Sequence, residues 1–379
     1  MLSMGLRETA AALRVLAKGD LGRYYARGES ESARFESELR SFTNSGHALA
    51  VNSGTSALIC ALVGAGIGPG DEVLVPAYTW VSTAAAPLAV GAVPVLVEID
   101  ESLTIDPVDI ERKLTPHTKA IIPVHMINLV SDMDPIMAIA KQHDLVVIED
   151  ACQAIGLRYR GRRVGSIAHA GVFSFNQHKN IKSGEGGALI TDDDRIFARA
   201  SIYHDVGSYE REEQFSFDEP VFVGVNYRMP ELSAAILRPQ LARLDRQLRR
   251  RRERREFLLE QLEASLPSFT VNPHHDESDA AGLAISFDDT DAAQAFGERK
   301  GARRLIDTGR HVYTNWQPIL AKRSFDPRLD PYAWAHRSID HEPDECPVTL
   351  DILSRTCTVE LAPELPTPAF RLAVRQLTN

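Results

Sequence analysis

Leu145-Val146-Val147-Ile148-Glu149-Asp150-Ala151-Cys152-Gln153 reads as a short apolar strand that ends in two carboxylates. A continuous apolar run with no polar alternation is covered on both faces, which is the pattern of a strand inside a parallel sheet. In open α/β sheets the crevice that takes a ligand lies beyond the carboxyl ends of the strands. Successive strand residues point to opposite faces, so Glu149 and Asp150 part company there. One of them can face a crevice while the other is solvated or paired. An ordinary helix N-cap is the other use of an aspartate at this place.

Working outward, the chain alternates helical and strand signals. Ala57–Gly66 is Ala/Leu-rich and helical, Asp71–Val75 is a β-branched run that stops at Pro76, and Val93–Ile99 and Ala120–Val124 are further strands. Pro135–His143 is helical, and Val172–Phe175 and Ala188–Thr191 add two strands joined by a loop. Strands separated by helices mean an α/β domain with a mostly parallel central sheet. From about Pro230 the pattern turns helical, with Leu241, Leu244, Leu248, Leu258, Leu259 and Leu262 at helical spacing up to Pro267. The expected division is a large domain over 1–245, with an N-terminal arm at 1–25, and then a linker helix and a small α+β domain over 246–379.

The 379 residues carry 42 basic and 52 acidic side chains, a net charge of −10, with 44% apolar residues. That is the make-up of a globular chain with a filled core. It argues against a general nucleic-acid or anionic-membrane binder, whose affinity rests on neutralising phosphates. The basic stretch Arg249–Arg255 contains Glu253 and reads as a solvated helix face. The cysteines at 60, 152, 346 and 357 have no metal-ligand or disulfide spacing, so no metal is expected and a cytoplasmic, reducing location fits. Ala48–Gly70 and Pro76–Val97 lack charge, yet glycines, prolines and hydroxyls break each into a short helix and a short strand. Arg7, Glu8 and Arg14 interrupt any signal-peptide core.

Three more features bear on chemistry. Asn52-Ser53-Gly54-Thr55-Ser56 is a small turn feeding a helix, where free backbone N–H groups and the positive dipole end suit a phosphate. Phe173-Ser174-Phe175-Asn176-Gln177-His178-Lys179-Asn180 sets a lysine in a loop just after a buried strand, and Gly184-Glu185-Gly186-Gly187 follows. A lysine that is desolvated or lies near other positive charge becomes a nucleophile able to form a Schiff base. Gly224-Val225-Asn226-Tyr227-Arg228-Met229-Pro230 is a polar segment opening a helix. A phosphate cradle, a carboxylate and a lysine are together the fixed points needed to hold pyridoxal 5′-phosphate, whose ring acts as an electron sink when its nitrogen stays protonated.

At this point the sequence resembles the DegT/DnrJ/EryC1/StrS family of sugar aminotransferases, of the fold type I, aspartate-aminotransferase-like class. The resemblance runs from about Gly22 to Leu244, on NSGTSAL at 52–58, PAYTWVST at 76–83, AIIPVHM at 120–126, VIEDACQAIG at 148–156, GSIAHAGVFSFNQHKN at 165–180, GEGGALITDD at 184–193 and NYRMPELSAA at 226–235. It implies Lys179 as the Schiff-base lysine, with Lys182 as its rival. It further implies Asp150 beside the pyridine nitrogen, Gln153 at the phenolic oxygen, Trp80 stacked on the ring, and Gly54, Thr55 and Ser174 on the phosphate. Asn226 completes the phosphate site of the partner subunit, so a homodimer with a composite active site is implied.

The activity so implied is transfer of an amino group from L-glutamate or L-glutamine to a keto-sugar or ketocyclitol, in amino-sugar or antibiotic biosynthesis. Relatives that are dehydratases carry histidine in place of the lysine, and some relatives are non-catalytic regulators; Lys179 favours transamination over both. Arg228 is the candidate for the donor carboxylate, and His311, Tyr313 and Trp316 are candidate substrate contacts. Asn128, where the family usually has glycine, and the segment from His311 to Trp316 depart from the family pattern.

Overall fold

The computed structural model describes residues 4–24, 30–207 and 220–378, so positions 1–3 and 25 of the expected N-terminal arm lie outside the described residues. Helix α1 (Leu6–Lys18) ends at Gly19, and α2 (Glu31–Thr43) starts on a Ser30 side-chain cap. Then β1 (His47–Val51), α3 (Gly54–Gly64), β2 (Glu72–Pro76), α4 (Ser82–Ala89), β3 (Val93–Val97), α5 (Pro107–Lys113), β4 (Thr118–Ile121), α6 (Met133–His143) and β5 (Val146–Asp150) follow. A two-stranded ribbon, β6 (Arg158–Tyr159) and β7 (Arg162–Arg163), precedes β8 (Ala170–Ser174), β9 (Gly187–Thr191) and α7 (Asp194–His204).

These strands make a seven-stranded sheet in the order β1-β9-β8-β5-β4-β2-β3. Pairing is parallel from β8 through β5, β4 and β2 to β3, whereas β9 runs antiparallel to both β8 and β1. Helices cover both faces, as the unbroken apolar strands require. Val147, Phe173 and Ile190 face one core with Phe35, Ile136 and Leu237. Their neighbours Ile148, Val172 and Leu189 face the other, with Leu58, Leu62 and Ile196. Helix α3 is apolar on nearly every side because it is sunk in that second core, against β8, β9 and α7.

After α8 (Glu231–Leu241), the 22-residue α9 (Leu244–Ser265) leads to a four-stranded antiparallel sheet, ordered β10 (Thr270–Val271), β11 (Ala284–Ser286), β13 (Thr356–Val359) and β12 (Ala302–Arg304). Its core joins Leu258 and Leu262 of α9 to Phe287, Phe296, Phe370 and Val374. The segment between β12 and β13 returns to the larger sheet: Tyr78 bridges Val312, and the Glu98 carboxylate accepts from the Thr349 N–H at 2.7 Å.

The basic stretch at 249–255 is a solvated face only at Arg249 and Glu253, which are exposed. Arg254, 5% exposed, donates to the carbonyls of Leu361, Ala362 and Leu365, and Arg250, Arg251 and Arg255 donate to those of Leu365, Ala281 and Gly282. These arginines tie α9 to loops of the smaller sheet, so their charge is spent on backbone acceptors. Among the described residues no helix is long and apolar enough to cross a membrane.

Candidate active site

The two carboxylates at the end of β5 do part company. Glu149, on the face of Val147, is fully buried and accepts from the N–H groups of Gly165, Ile167 and Ala168, at 2.7, 2.6 and 2.8 Å, and pairs with His125 at 3.1 Å. Its bonding capacity is filled within the fold. Asp150, on the face of Ile148 towards α3 and α4, accepts from Thr83 Oγ1 at 2.8 Å and from the Cys152 N–H at 3.1 Å. Thr83 in turn shares a 2.8 Å hydrogen bond with Thr79, and all three lie within the protein. Asp150 is therefore oriented but not neutralised: its described partners are hydroxyl and amide, and neither is a cation.

Beside it is the N-terminus of α3. The Ser53 side chain caps the helix, accepting from the Ser56 N–H at 3.0 Å, and leaves the first-turn N–H groups of Gly54 and Thr55 directed outward. A Cβ on Gly54 would lie 2.8 Å from Ser174 Cβ and 3.0 Å from Cys152 Sγ, so only glycine lets the helix start come this close to the ends of β8 and β5. Thr55 Oγ1 donates to Ser82 Oγ at 2.9 Å, tying α3 to α4. Gly54, Thr55 and Ser174 thus surround one electropositive point.

Lys179 sits in the loop after β8, in a turn closed by its N–H to the Asn176 carbonyl at 3.0 Å. Among the described residues its ammonium has no hydrogen bond or ion pair. The Cys152 thiol, held well above its ordinary range by burial and by Asp150, is pulled the other way by Lys179, so the carboxylate and the amine both act on that thiol. Gln153 accepts from the Ile127 N–H at 3.1 Å, which leaves its Nε2 beside the Met126 sulfur, a weak acceptor, as a spare donor.

Trp80 is 36% exposed, with the Arg310 guanidinium over its ring at 4.7 Å and His311 tilted against it at 5.1 Å. His311 Nδ1 is 3.1 Å from the Thr308 carbonyl, an acceptor, so Nδ1 carries the proton and Nε2 keeps its lone pair. Burial, then the charges of Lys179, Arg303 and Arg310, lowers the His311 pKa from its ordinary value, against the Thr308 hydrogen bond, which raises it. Lys179, Lys182, Gln153 and His311 all line one cleft of about 670 Å³, bounded by Tyr78, Asn128, Arg251 and Arg303.

Other candidate residues are placed differently. Asn226 is exposed, its amide oxygen accepting from the Arg228 N–H at 3.2 Å, in a segment whose Tyr227 carbonyl accepts from the Asn52 N–H at 2.8 Å. Arg228 is ion-paired with the buried Asp205 and so has a counter-ion inside the chain. Tyr313 and Trp316 are 0% and 1% exposed. The Tyr313 hydroxyl donates to the Pro343 carbonyl and accepts from the Cys346 N–H, and the Trp316 indole N–H donates to the Arg310 carbonyl. The expected substrate contact gives way at these two positions, because their polar atoms are used in packing the 305–346 segment. Sequence reasoning passed over Thr83, Tyr78 and Arg303; only the repeat Thr79–Thr83, one helical turn apart, was there to be noticed.

A phosphate, a pyridine nitrogen and an aldehyde have complementary groups here: helix N–H donors beside Ser174, and, among the described residues, a carboxylate with no cationic partner and an uncommitted amine. The donor set therefore fits pyridoxal 5′-phosphate. Among the described residues no cluster of side chains suits a metal ion.

Comparison with known proteins places this arrangement. The DegT/DnrJ/EryC1/StrS aminotransferase family matches residues 7–371. GDP-perosamine synthase of Caulobacter vibrioides is 42% identical over 241 residues, which are 63% of this chain and 64% of that protein. L-glutamine:2-deoxy-scyllo-inosose aminotransferase of Micromonospora echinospora is 34% identical over 349 residues, 88% of this chain and 82% of that one. Among solved structures, S. venezuelae DesV in complex with a ketimine intermediate superposes with a TM-score of 0.76 at 30% identity, over 98% of this chain and 93% of the other. The chain belongs to the DegT/DnrJ/EryC1/StrS aminotransferase family, with the fold of pyridoxal-phosphate enzymes of fold type I.

Proposed function

We propose that this member of the DegT/DnrJ/EryC1/StrS family is a pyridoxal-phosphate-dependent aminotransferase that moves an amino group from L-glutamate or L-glutamine to the ketone of a sugar or cyclitol. The observation that carries the reading is the Lys179 amine, which has no hydrogen bond or ion pair among the described residues and lines a cleft together with Gln153 and His311. Relatives named for GDP-perosamine synthesis and for amination of 2-deoxy-scyllo-inosose support the substrate class.

When bound, the cofactor supplies a ring that accepts the electron pair left as the donor loses its α-proton. The chain supplies the rest. Gly54 and Thr55 N–H groups with Ser174 would anchor the phosphate. Asp150, held by Thr83, would keep a proton on the ring nitrogen, and Gln153 Nε2 would donate to the phenolic oxygen. Trp80, backed by Arg310, would cover the ring. Lys179 Nζ takes the donor's α-proton and returns it one carbon away, acting as base and then acid. His311 Nε2, opposite the Nδ1 that faces the Thr308 carbonyl, accepts from a substrate hydroxyl.

Arg228 is committed to Asp205, so we assign the donor carboxylate to Arg303, which faces the same cleft as Lys179. The exposed Asn226 fits a role across a homodimer interface, completing the phosphate site of a second copy. The four cysteines are free, and a cytoplasmic location suits them. The test is a half-reaction. Protein loaded with cofactor is mixed with L-glutamate or L-glutamine, freed of donor, and offered keto-sugars and ketocyclitols. Loss of the visible chromophore with donor and its return with one class of ketone is expected. A chromophore that never responds to either donor would overturn the reading.

A further inference from the structure

Two consecutive residues at the mouth of the cleft, Ile127 and Asn128, stand in the left-handed region with φ of 45° and 63°. Neither is glycine, and a β-branched residue is strongly disfavoured there. Backbone strain of this kind persists only where the surroundings over-determine it, and it is a reason to ask what the strained turn does.

Its hydrogen bonds give the answer. The Ile127 N–H donates to Gln153 Oε1 at 3.1 Å, and Asn128 Oδ1 accepts from Asn180 Nδ2 at 2.7 Å. Asn180 Nδ2 also reaches the Ile155 carbonyl at 3.4 Å. The turn therefore closes a ring through three segments, 127–128, 153–155 and 179–180, two of which carry Gln153 and Lys179. The turn is clamped from outside as well. A Cβ on Gly282 would lie 2.3 Å from the Ile127 carbonyl oxygen, so a glycine there lets the segment leading into β11 press directly on it. Asn128 itself is only 8% exposed.

We propose that Asn128 is a positioning residue: its side-chain amide, presented by the left-handed turn, fixes Asn180 and through it the direction in which the neighbouring Lys179 enters the cleft. Asparagine suits the place twice over, since it tolerates the left-handed backbone and carries the acceptor. The inference deepens the aminotransferase reading and rests on it for its kinetic consequence, though not for its structural one.

The test uses Asn128→Gly, which keeps the positive φ and removes the acceptor, and Asn128→Asp, which keeps an acceptor. Hydrogen exchange is read first on the cofactor-free full chain, at the backbone amides of Lys179, Lys182 and Ser183, which donate to Asn176, Gln240 and Phe175. Asn128→Gly is expected to speed exchange there about three- to tenfold, the weight of one hydrogen bond, at an unchanged thermal midpoint. Asn128→Asp is expected to restore the protection. In loaded protein Asn128→Gly is expected to displace the pH midpoint of the chromophore and to lower kcat about tenfold, while the donor KM moves less than twofold. Exchange and chromophore midpoint equal to the unsubstituted protein in Asn128→Gly would overturn the proposal. If instead no variant, nor the unsubstituted protein, responds to an amino donor, the functional reading fails while the exchange result still decides the role of Asn128.

Discussion

Two parts of this molecule concentrate positive charge, and they use it in opposite ways. The loop after β8 holds Lys179 and Lys182, two of the 8 lysines in the chain, and the Lys179 ammonium has no hydrogen bond or ion pair among the described residues. Helix α9 holds a denser cluster at 249–255, and there the guanidinium groups of Arg250, Arg251, Arg254 and Arg255 point at carbonyls of the chain itself. The difference lies in the neighbouring backbone. Residues 361–365 and 281–282 are loop segments whose carbonyls have no ladder to join, and a planar, five-donor arginine satisfies several at once. The loop after β8 joins two strands, β8 and β9, whose backbone groups pair with each other. Its lysine is left over, and a left-over amine in a cleft is available for chemistry.

The comparison breaks most readily at Lys179. Lys179→Ala is expected to lower the donor half-reaction by at least ~10⁴-fold, the upper range for a proton-transfer group, with the thermal midpoint preserved. Lys182→Ala, the control from the same loop, is expected to change the rate less than about threefold. Stopped-flow absorbance measures both, and a larger loss for Lys182 would exchange their roles.

A substitution in the helix should do the reverse. Arg254→Met keeps much of the packing on Phe370, whose ring lies 4.4 Å from the guanidinium carbon, but abandons the carbonyls of Leu361, Ala362 and Leu365. A loss of roughly 3–4 kcal/mol in urea unfolding is expected, as for several buried acceptors left unpaired, with the donor half-reaction of the remaining folded protein unchanged. Equal stability would return the arginine cluster to the solvent.

A smaller effect tests the same helix through pH. Burial, then the charge of Arg255 and of His275, lowers the His274 pKa from 6.5 to about 4. The unfolded chain therefore binds the proton first, so this stabilisation is complete above about pH 6.5 and is lost as pH falls towards 4. The whole span is worth at most about 3 kcal/mol. His274→Phe should flatten that part of the stability profile measured by urea unfolding between pH 7 and 4.5, and an unchanged slope would remove His274 from the account.

How far the sequence could be read differs by element for physical reasons. The strands at 146–150, 170–174 and 187–191 were legible because apolar runs covered on both faces have no other home, and their ends then mark the crevice. The separation of Glu149 from Asp150 followed from strand alternation, but which one is consumed inside the fold depended on the loop at 165–168 arriving with three N–H groups. Tyr313 opens a three-residue 3₁₀ turn and Trp316 precedes a four-residue helix, elements too short for periodicity, so no spacing could tell an aromatic in the core from one in the cleft. Thr83 was invisible as a partner of Asp150, since 67 residues separate them.

Taken alone, the amino-acid order determined the α/β class, the lysine loop, the carboxylates at the strand end and the glycine-led helix start, because each is a local consequence of period, φ preference or side-chain type. Packing decided which charges stay free. Whether a cation meets a carbonyl, a carboxylate or an open cleft is settled by segments far apart in the chain, and for Lys179, Arg228 and Arg254 that meeting is what distinguishes a group left for chemistry from one that holds the fold.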